Sequence, residues 1–422
     1  MIIAVIILVL IALIGAPLFV VLGAGGLLAS YNSEIDPVGL IIELNRLASS
    51  PNLLAIPLFT LAGVTMAAGG APYRLIRLFN AIFGWMPGGL AIVAIISCAF
   101  FTAFSGASGV TILALGGLLY PMLVSAGYRD RFSLGLLTSS GSIGLLFPPS
   151  LAILLYGIVA GVSIDELFLA GIVPGWILLV LFSIYSYYSG VRIALPTQDF
   201  NWKIFFYAIR NSAWDVFLPI GVSVGIFGGF LTVAEAAACT ALYVLFVEIV
   251  IYRKINLHEQ VFKILTNTVA LVGSILIILG VALGLTNLLI DAQIPMRLLS
   301  ILEANIDSQF QFLILLNLML LIVGAMMDIF SAIVVVVPLI LPIATRYGID
   351  PVHLGIIFLA NLEIGYITPP VGLNLFIASQ RFKKPILTLF RAAIPFLGLM
   401  LIWLVVVTYI PALSLWWRPE NP

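Results

Sequence analysis

Asp328 stands in "GAMMDIFSA", Gly324 to Ala332, within a stretch apolar enough for a membrane helix. An ionisable residue at that depth is costly and points to function by default. Its carboxylate suits a hard cation, and it equally suits the bare amides at the start of a helix. A second polar interruption, Ser105-Gly106-Ala107-Ser108, cuts the apolar segment from about Pro87 to Ser125. Two more interruptions carry paired prolines, "GLLFPPS" (Gly144 to Ser150) and "GYITPPVGLN" (Gly365 to Asn374). Proline removes a backbone donor and clashes one turn back, so Pro148-Pro149 and Pro369-Pro370 each predict a broken helix. In hydrocarbon the freed carbonyls must be satisfied, and irregular backbone survives where it lines a cavity or site. The chemistry these residues support is coordination of a hard cation by oxygen.

Two candidate cation sites follow. In the first, Ser105, Gly106 and Ser108 meet Gly144, Pro148 and Pro149. In the second, Gly324, Asp328 and Ser331 meet Gly365, Thr368, Pro369 and Pro370. The hydroxyls of Ser105, Ser108, Ser331 and Thr368 add oxygens to the carbonyls, unless they bond back to their own helix or cap it. Ser150 and Asn374, beside the breaks, are the candidates for substrate contact; Asn374 equally suits a bond between helices. Asn361 and Glu363 precede the second break, with Glu363 either interfacial or held in a buried polar network. Thr232-Val233-Ala234-Glu235 has the spacing of a capping box, which accounts for Glu235 better than proton transfer does. An anionic substrate needs a positive partner, a half-helix N-terminus or an arginine, and neither Pro-Pro motif contains an arginine.

The elements that position these groups repeat. Pro369 lies 221 residues after Pro148, and at that offset Pro121 meets Pro342, Pro149 meets Pro370 and Pro174 meets Pro395. Gly127 and Gly348, and Gly144 and Gly365, also align. Such spacing marks two half-length repeats, 1–210 and 211–422. Each holds a hairpin (about 87–125 and about 308–345) and a broken helix (about 131–160 and about 351–380). Equivalent loops carry opposite charge: "YRDRF" (Tyr128 to Phe132) is basic where "IDPVH" (Ile349 to His353) is not. Likewise "GVSIDE" (Gly161 to Glu166) is acidic where "FKKPIL" (Phe382 to Leu387) is basic. By the positive-inside rule the repeats are inverted. Discontinuous helices at matching places of inverted repeats mark the binding sites of secondary transporters.

A path through the membrane follows. A first helix runs to about Leu28, an amphipathic stretch from Glu34 to Leu47 lies at the outer interface, and a second crossing spans about Leu53 to Gly69. After the first broken helix a return helix ends at about Gly190. Phe200 to Arg210 and Tyr252 to Lys263 are expected as inner interfacial pieces, with a crossing at about Thr268 to Ile290 and a last one ending near Tyr409. The path places 14 of the 18 Lys and Arg inside, leaving Arg46, Arg297, Arg346 and Arg418 outside.

Composition agrees. The 422 residues are 63% hydrophobic and 9% charged, with zero formal net charge and a mean hydropathy of +1.24. This is a polytopic all-α membrane protein with no nucleic-acid partner. No lysine follows a glycine, so a phosphate loop is absent. The two histidines, His258 and His353, are far apart and outside any metalloenzyme motif, and no enzyme is expected. Cys98 and Cys239 read as two inert buried thiols. A passive channel would share the hydropathy but not the paired breaks.

Gly144 to Gly175 and Asp350 to Ser379 resemble the signature of the large membrane (M) subunit of tripartite ATP-independent periplasmic (TRAP) transporters. "FLTVAEAAACTALY" (Phe230 to Tyr243) and "YIPALSLWW" (Tyr409 to Trp417) are similar too. The likeness covers essentially the whole chain. It departs at the first hairpin tip, where the family often has Ser-Gly-Ser and this chain has Ser105-Gly106-Ala107-Ser108. The resemblance implies import of an organic acid, a dicarboxylate, sialic acid or similar carboxylate, across the bacterial inner membrane. It implies a sodium gradient as the driving force, so that the two candidate sites become Na+ sites, with no other cofactor. It also implies a periplasmic binding protein, a separate small membrane (Q) subunit, and an elevator-type movement. The competing expectation is a stand-alone carboxylate symporter or antiporter that needs no binding protein.

Overall fold

The computed structural model describes residues 18–33, 51–193, 199–256, 260–291 and 308–418, with isolated positions at 8, 38, 42, 45, 49, 293 and 306. Among the described residues every regular element is helical. Among the described residues six helices are long and apolar enough to cross a membrane, or up to nine when each bent pair counts as one span. The chain is an all-α, multi-pass membrane protein.

Helix α1 (Leu18–Ser33) runs past Leu28. The expected interfacial stretch from Glu34 to Leu47 falls almost wholly outside the described residues. Helices α2 (Ala55–Ala68) and α3 (Ala71–Phe83) meet at Gly69-Gly70 with a 74° bend. A Cβ on Gly69 would lie 2.9 Å from Glu248 Oε1, and one on Gly70 would lie 2.7 Å from Arg74 Nη1, so the bend is kept bare for the Glu248 and Arg74 side chains. Helix α3 has no counterpart in the sequence reading, because its two arginines break the apolar run.

The first hairpin comprises α4 (Gly89–Ser105), α5 (Ser108–Ala114) and α6 (Gly116–Ser125). Gly106 at its tip has φ +66°, a left-handed turn that glycine adopts without steric cost. Next come α7 (Asp130–Ser140), a 3-10 turn (Ile143–Leu146) and α8 (Leu151–Ala160), bent by 46° at the first Pro-Pro. Helix α9 (Ile164–Ile193) follows.

Helix α10 (Trp202–Phe227) corrects one expectation: Phe200 to Arg210 is not a separate interfacial helix. The Asn201 side chain accepts from Lys203 N at 2.9 Å and starts a single continuous helix, which absorbs Pro219. Helix α11 (Val233–Phe246) opens with the Thr232–Glu235 capping box and runs into a π turn (Val247–Ile251). The tract from Tyr252 to Lys263 is likewise not one interfacial piece, since its end already belongs to α12 (Gln260–Asp291). The second hairpin is α13 (Gln309–Met326) and α14 (Ile329–Arg346). The second broken helix is α15 (Pro351–Gly365) and α16 (Leu373–Phe382), and α17 (Ile386–Tyr409) closes the chain.

The packing exchanges elements between equivalent positions. Helix α5 packs on α16, and its counterpart at the 221-residue offset, α14, packs on α8; α7 packs on α17 as α15 packs on α9. A Cβ on Gly144 would lie 2.7 Å from Ala103 N. At the same offset, a Cβ on Gly365 would lie 2.7 Å from Ala325 N and closer still to the Gly324 carbonyl carbon. These contacts need glycine because one backbone lies directly on another. Trp403 of α17 is fully buried and donates its indole N–H to Pro174 O at 2.9 Å, fastening α17 to α9. Cys98 is buried, but Cys239 is exposed on α11, contrary to expectation. An apolar helix facing lipid leaves such a residue on the outer surface.

Candidate functional site

The first break is built from hydroxyls. Thr102 Oγ1 donates to Gly141 O at 2.8 Å and lies 2.6 Å from Thr111 Oγ1, and Ser105 Oγ is 3.4 Å from Thr111 Oγ1. These bonds set the hairpin tip against the turn that leads to Pro148-Pro149. Around that turn the hydroxyls of Ser139, Ser140 and Ser150 are buried and have no hydrogen-bond partner. Buried polar atoms are nearly always paired. Three buried, unpaired hydroxyl oxygens beside one broken helix are donors of the type that suits a cation held by neutral oxygens. The sequence reading included Ser150, as a substrate contact, but missed Ser139, Ser140, Thr102 and Thr111. The visible signal was "TSSGS", Thr138 to Ser142, a run of hydroxyls directly upstream of the break.

Asn374 belongs to this same region, although it follows the second break in sequence. Ser108 Oγ donates to Asn374 Oδ1 at 2.7 Å, and Asn374 Nδ2 donates to Thr138 O at 3.4 Å. Asn374 is wholly buried. It therefore bonds across helices.

The second break is laced to its own hairpin mainly by backbone. Val371 N and Gly372 N both donate to Ala325 O at 3.1 Å, and Tyr366 Oη accepts from Ile329 N at 2.6 Å. Asp328 caps α14: its Oδ1 accepts from Phe330 N and Ser331 N at 3.0 Å each, and Ser331 Oγ donates to its Oδ2. Thr368 Oγ1 bonds back to Ile364 O at 2.8 Å. The Ser331 and Thr368 hydroxyls are thus engaged locally, as side chains near helix ends often are. Pro369 and Pro370 are exposed, whereas Pro149 is buried. The two breaks match in sequence and differ in enclosure.

Two buried polar groups lie elsewhere. Glu363 is fully buried with neither carboxylate oxygen bonded, and near it Asn361 Nδ2 donates to Asn317 Oδ1 at 2.6 Å. Asn317 reaches Thr408 Oγ1 at 3.3 Å, and His353 Nε2 lies 3.2 Å from Thr408 O. Second, Arg74 on α3 forms a bidentate pair with Asp215 on α10 at 2.6 and 2.7 Å, and also pairs with Glu248 in the π turn. Its guanidinium carbon stands 3.7 Å from the centre of the Tyr252 ring. The sequence reading did not find this cluster; each member sits alone in its own apolar stretch. Among the described residues no group of three or more His, Cys, Asp or Glu could hold a metal ion.

Comparison with known proteins agrees with this architecture. Residues 2–413 match the family described as "Tripartite ATP-independent periplasmic transporter, DctM component". The chain is 36% identical to the C4-dicarboxylate TRAP transporter large permease protein DctM of Vibrio cholerae, over 96% of this chain and 94% of that one. It is 34% identical to the isethionate TRAP transporter permease protein DctMQ of Oleidesulfovibrio alaskensis, over 95% of this chain and 64% of that one. Among solved structures it shares its fold with the YdaH transporter of Alcanivorax borkumensis, with a TM-score of 0.62, 15% identity, and coverage of 91% and 89%.

Proposed function

From its membership of the tripartite ATP-independent periplasmic transporter family, DctM component, to which this chain belongs, we propose that it is the translocating subunit of a sodium-driven importer of an organic acid. It is a transporter permease and not an enzyme. A periplasmic binding protein delivers the substrate, and a small membrane (Q) subunit completes the complex in the inner membrane. The relative named DctMQ, which extends well beyond the part matched here, supports the second partner. Names that include C4-dicarboxylate and isethionate point to a small organic anion as the substrate class.

The observation that carries the sodium reading is the trio of buried, unpartnered hydroxyls at Ser139, Ser140 and Ser150 beside the first Pro-Pro break. Sodium is a hard cation that neutral oxygens hold well, and broken helices present such oxygens in transporters. The inverted relation of the halves, 1–210 and 211–422, rests on their opposite loop charges, and it supports alternating access with a vertical, elevator-type displacement. In this reading Asp328 supplies a negative charge beside the second break while it caps α14.

Uptake into proteoliposomes containing this chain and its small membrane partner tests the proposal. With an inward sodium gradient and the binding protein present, a labelled organic acid accumulates; omitting either abolishes accumulation. Equal uptake without the binding protein would replace this reading with a stand-alone symporter, and uptake without sodium would remove the coupling ion.

A further inference from the structure

A basic cavity of about 220 Å³ opens between the start of α7, the end of α9 and α17. Arg129, Arg131 and Arg192 line it, beside Tyr185, Tyr188 and Phe396. None of the three arginines has an acidic partner among the described residues. Arg131 is held by a neutral group instead, donating from Nη2 to Arg391 O at 2.8 Å. The neighbouring carboxylate, Asp130, is already engaged by Lys384 at 3.2 Å and by the Tyr120 hydroxyl. Helix α7 begins here with no side-chain cap, so its first amides add to the positive field.

The equivalent corner of the other repeat is built differently. At the 221-residue offset Arg129 becomes Asp350. There the chain closes its own charge: Arg418 Nη1 lies 2.6 Å from Asp350 Oδ2, and Arg418 Nη2 pairs with Glu166. These partners, Glu166 foremost, hold the Arg418 guanidinium above its ordinary pKa. One corner is neutralised from within, and in the other three arginines stand without an acidic partner while Asp130, in the first turn of α7, is engaged by Lys384 and Tyr120.

We infer that the cavity lined by Arg129, Arg131 and Arg192 binds the phosphate headgroup of an anionic phospholipid. A soluble phosphate would meet the same arginines, but the surroundings favour a lipid. Val180, Ile184 and Tyr188 form an exposed stripe on α9 that leads away from the cavity, and Ile394 and Leu401 do the same on α17. Acyl chains would lie along these stripes while the headgroup sits among the arginines. The same end carries Arg381, Lys383 and Arg391, the bias of a cytoplasmic face, and basic pockets between transmembrane helices on that face suit anionic headgroups. The bound headgroup would tie α7, the first half of a broken helix, to α9 and α17.

The test uses the full chain in phosphatidylcholine vesicles with spin-labelled phosphatidylglycerol or spin-labelled phosphatidylcholine, reading the motionally restricted fraction of each. The wild type prefers the anionic label. The variant R129Q/R131Q/R192Q loses that preference by about tenfold or more, since each basic residue near the surface contributes a several-fold attraction and three factors compound. The charge-matched control K203Q/R253Q/K263Q keeps it. R192Q alone, at an exposed helix end, gives a partial loss and covers the case in which the triple variant does not fold. Unchanged selectivity in R192Q and in a folded triple variant overturns the inference. Millimolar glycerol 3-phosphate that abolishes the wild-type preference also overturns it, identifying a soluble-anion site.

Discussion

Ser108 and Asn374, 266 residues apart, share a buried hydrogen bond of 2.7 Å that joins the first hairpin tip to the helix after the second break. Removing one partner strands the other, at a cost of about 1–3 kcal/mol. Ser108→Ala and Asn374→Ala should each lower thermal stability, and the double variant should lose less than the sum of the two. A double-mutant cycle on the melting transition checks this, with a coupling of about 1 kcal/mol expected. Additive losses would mean that the two side chains do not act as a pair.

Gly365 has no room for a side chain, because its Cβ would enter the Gly324 backbone. Gly365→Ala should force the second hairpin away from its broken helix, cost about 1–3 kcal/mol and depress uptake. Gly273→Ala is the contrast. It lies inside α12 with open space around the position, so alanine should be neutral or gain up to about 1 kcal/mol of helix stability. Melting temperatures of the two variants decide the matter.

The breaks were legible because proline acts locally: Pro148-Pro149 and Pro369-Pro370 stop a helix whatever surrounds them. The caps at Asp328 and Glu235 were legible for the same reason, since the bonds span two or three residues. What the sequence hid depends on docking. Asn374 follows the second break in the chain, yet its side chain accepts from Ser108 at the first hairpin tip. Arg74, Asp215 and Glu248 gave no motif, since their pairing exists only once α3, α10 and the π turn meet. The length of α10 was missed because an aromatic, charged start reads as interfacial, while continuation into the bilayer depends on what packs beside it.

Asp328 separates two roles by a single atom change. Asn caps a helix about as well as Asp, whereas Ala costs about 1 kcal/mol. Asp328→Asn should therefore melt close to the wild type, and Asp328→Ala should melt lower. If the carboxylate also helps to hold sodium, Asp328→Asn should raise the sodium concentration for half-maximal uptake by about tenfold, the effect of losing a charge near a bound cation. An unchanged sodium dependence would leave Asp328 as a cap alone.

Arg74 is the shared ion-pair partner of two carboxylates, Asp215 and Glu248, that are almost fully buried. Arg74→Met should destabilise by about 3–5 kcal/mol, because it leaves buried charges uncompensated. The triple variant R74M/D215L/E248L should recover most of that loss, since replacing a whole buried ionic group with apolar residues is often neutral. Detergent-solubilised yield and melting temperature read both outcomes. A triple variant as unstable as the single one would mean that the cluster is needed for its geometry rather than its charge balance.

Ser139 and Ser140 allow a test in which stability and function move in opposite directions. Each hydroxyl is buried without a partner, so the folded protein without sodium bears its desolvation cost of about 1–3 kcal/mol. Ser139→Ala and Ser140→Ala remove that cost and should raise the melting temperature in sodium-free buffer. If the same oxygens complete a sodium shell, the variants should also lose the extra stabilisation that sodium gives to the wild type, which grows with the logarithm of its concentration. Melting curves across a sodium series, with potassium holding ionic strength constant, distinguish the cases. A flattened sodium response together with a higher sodium-free melting temperature assigns the hydroxyls to the ion. An undiminished sodium response in both variants would remove them from the site.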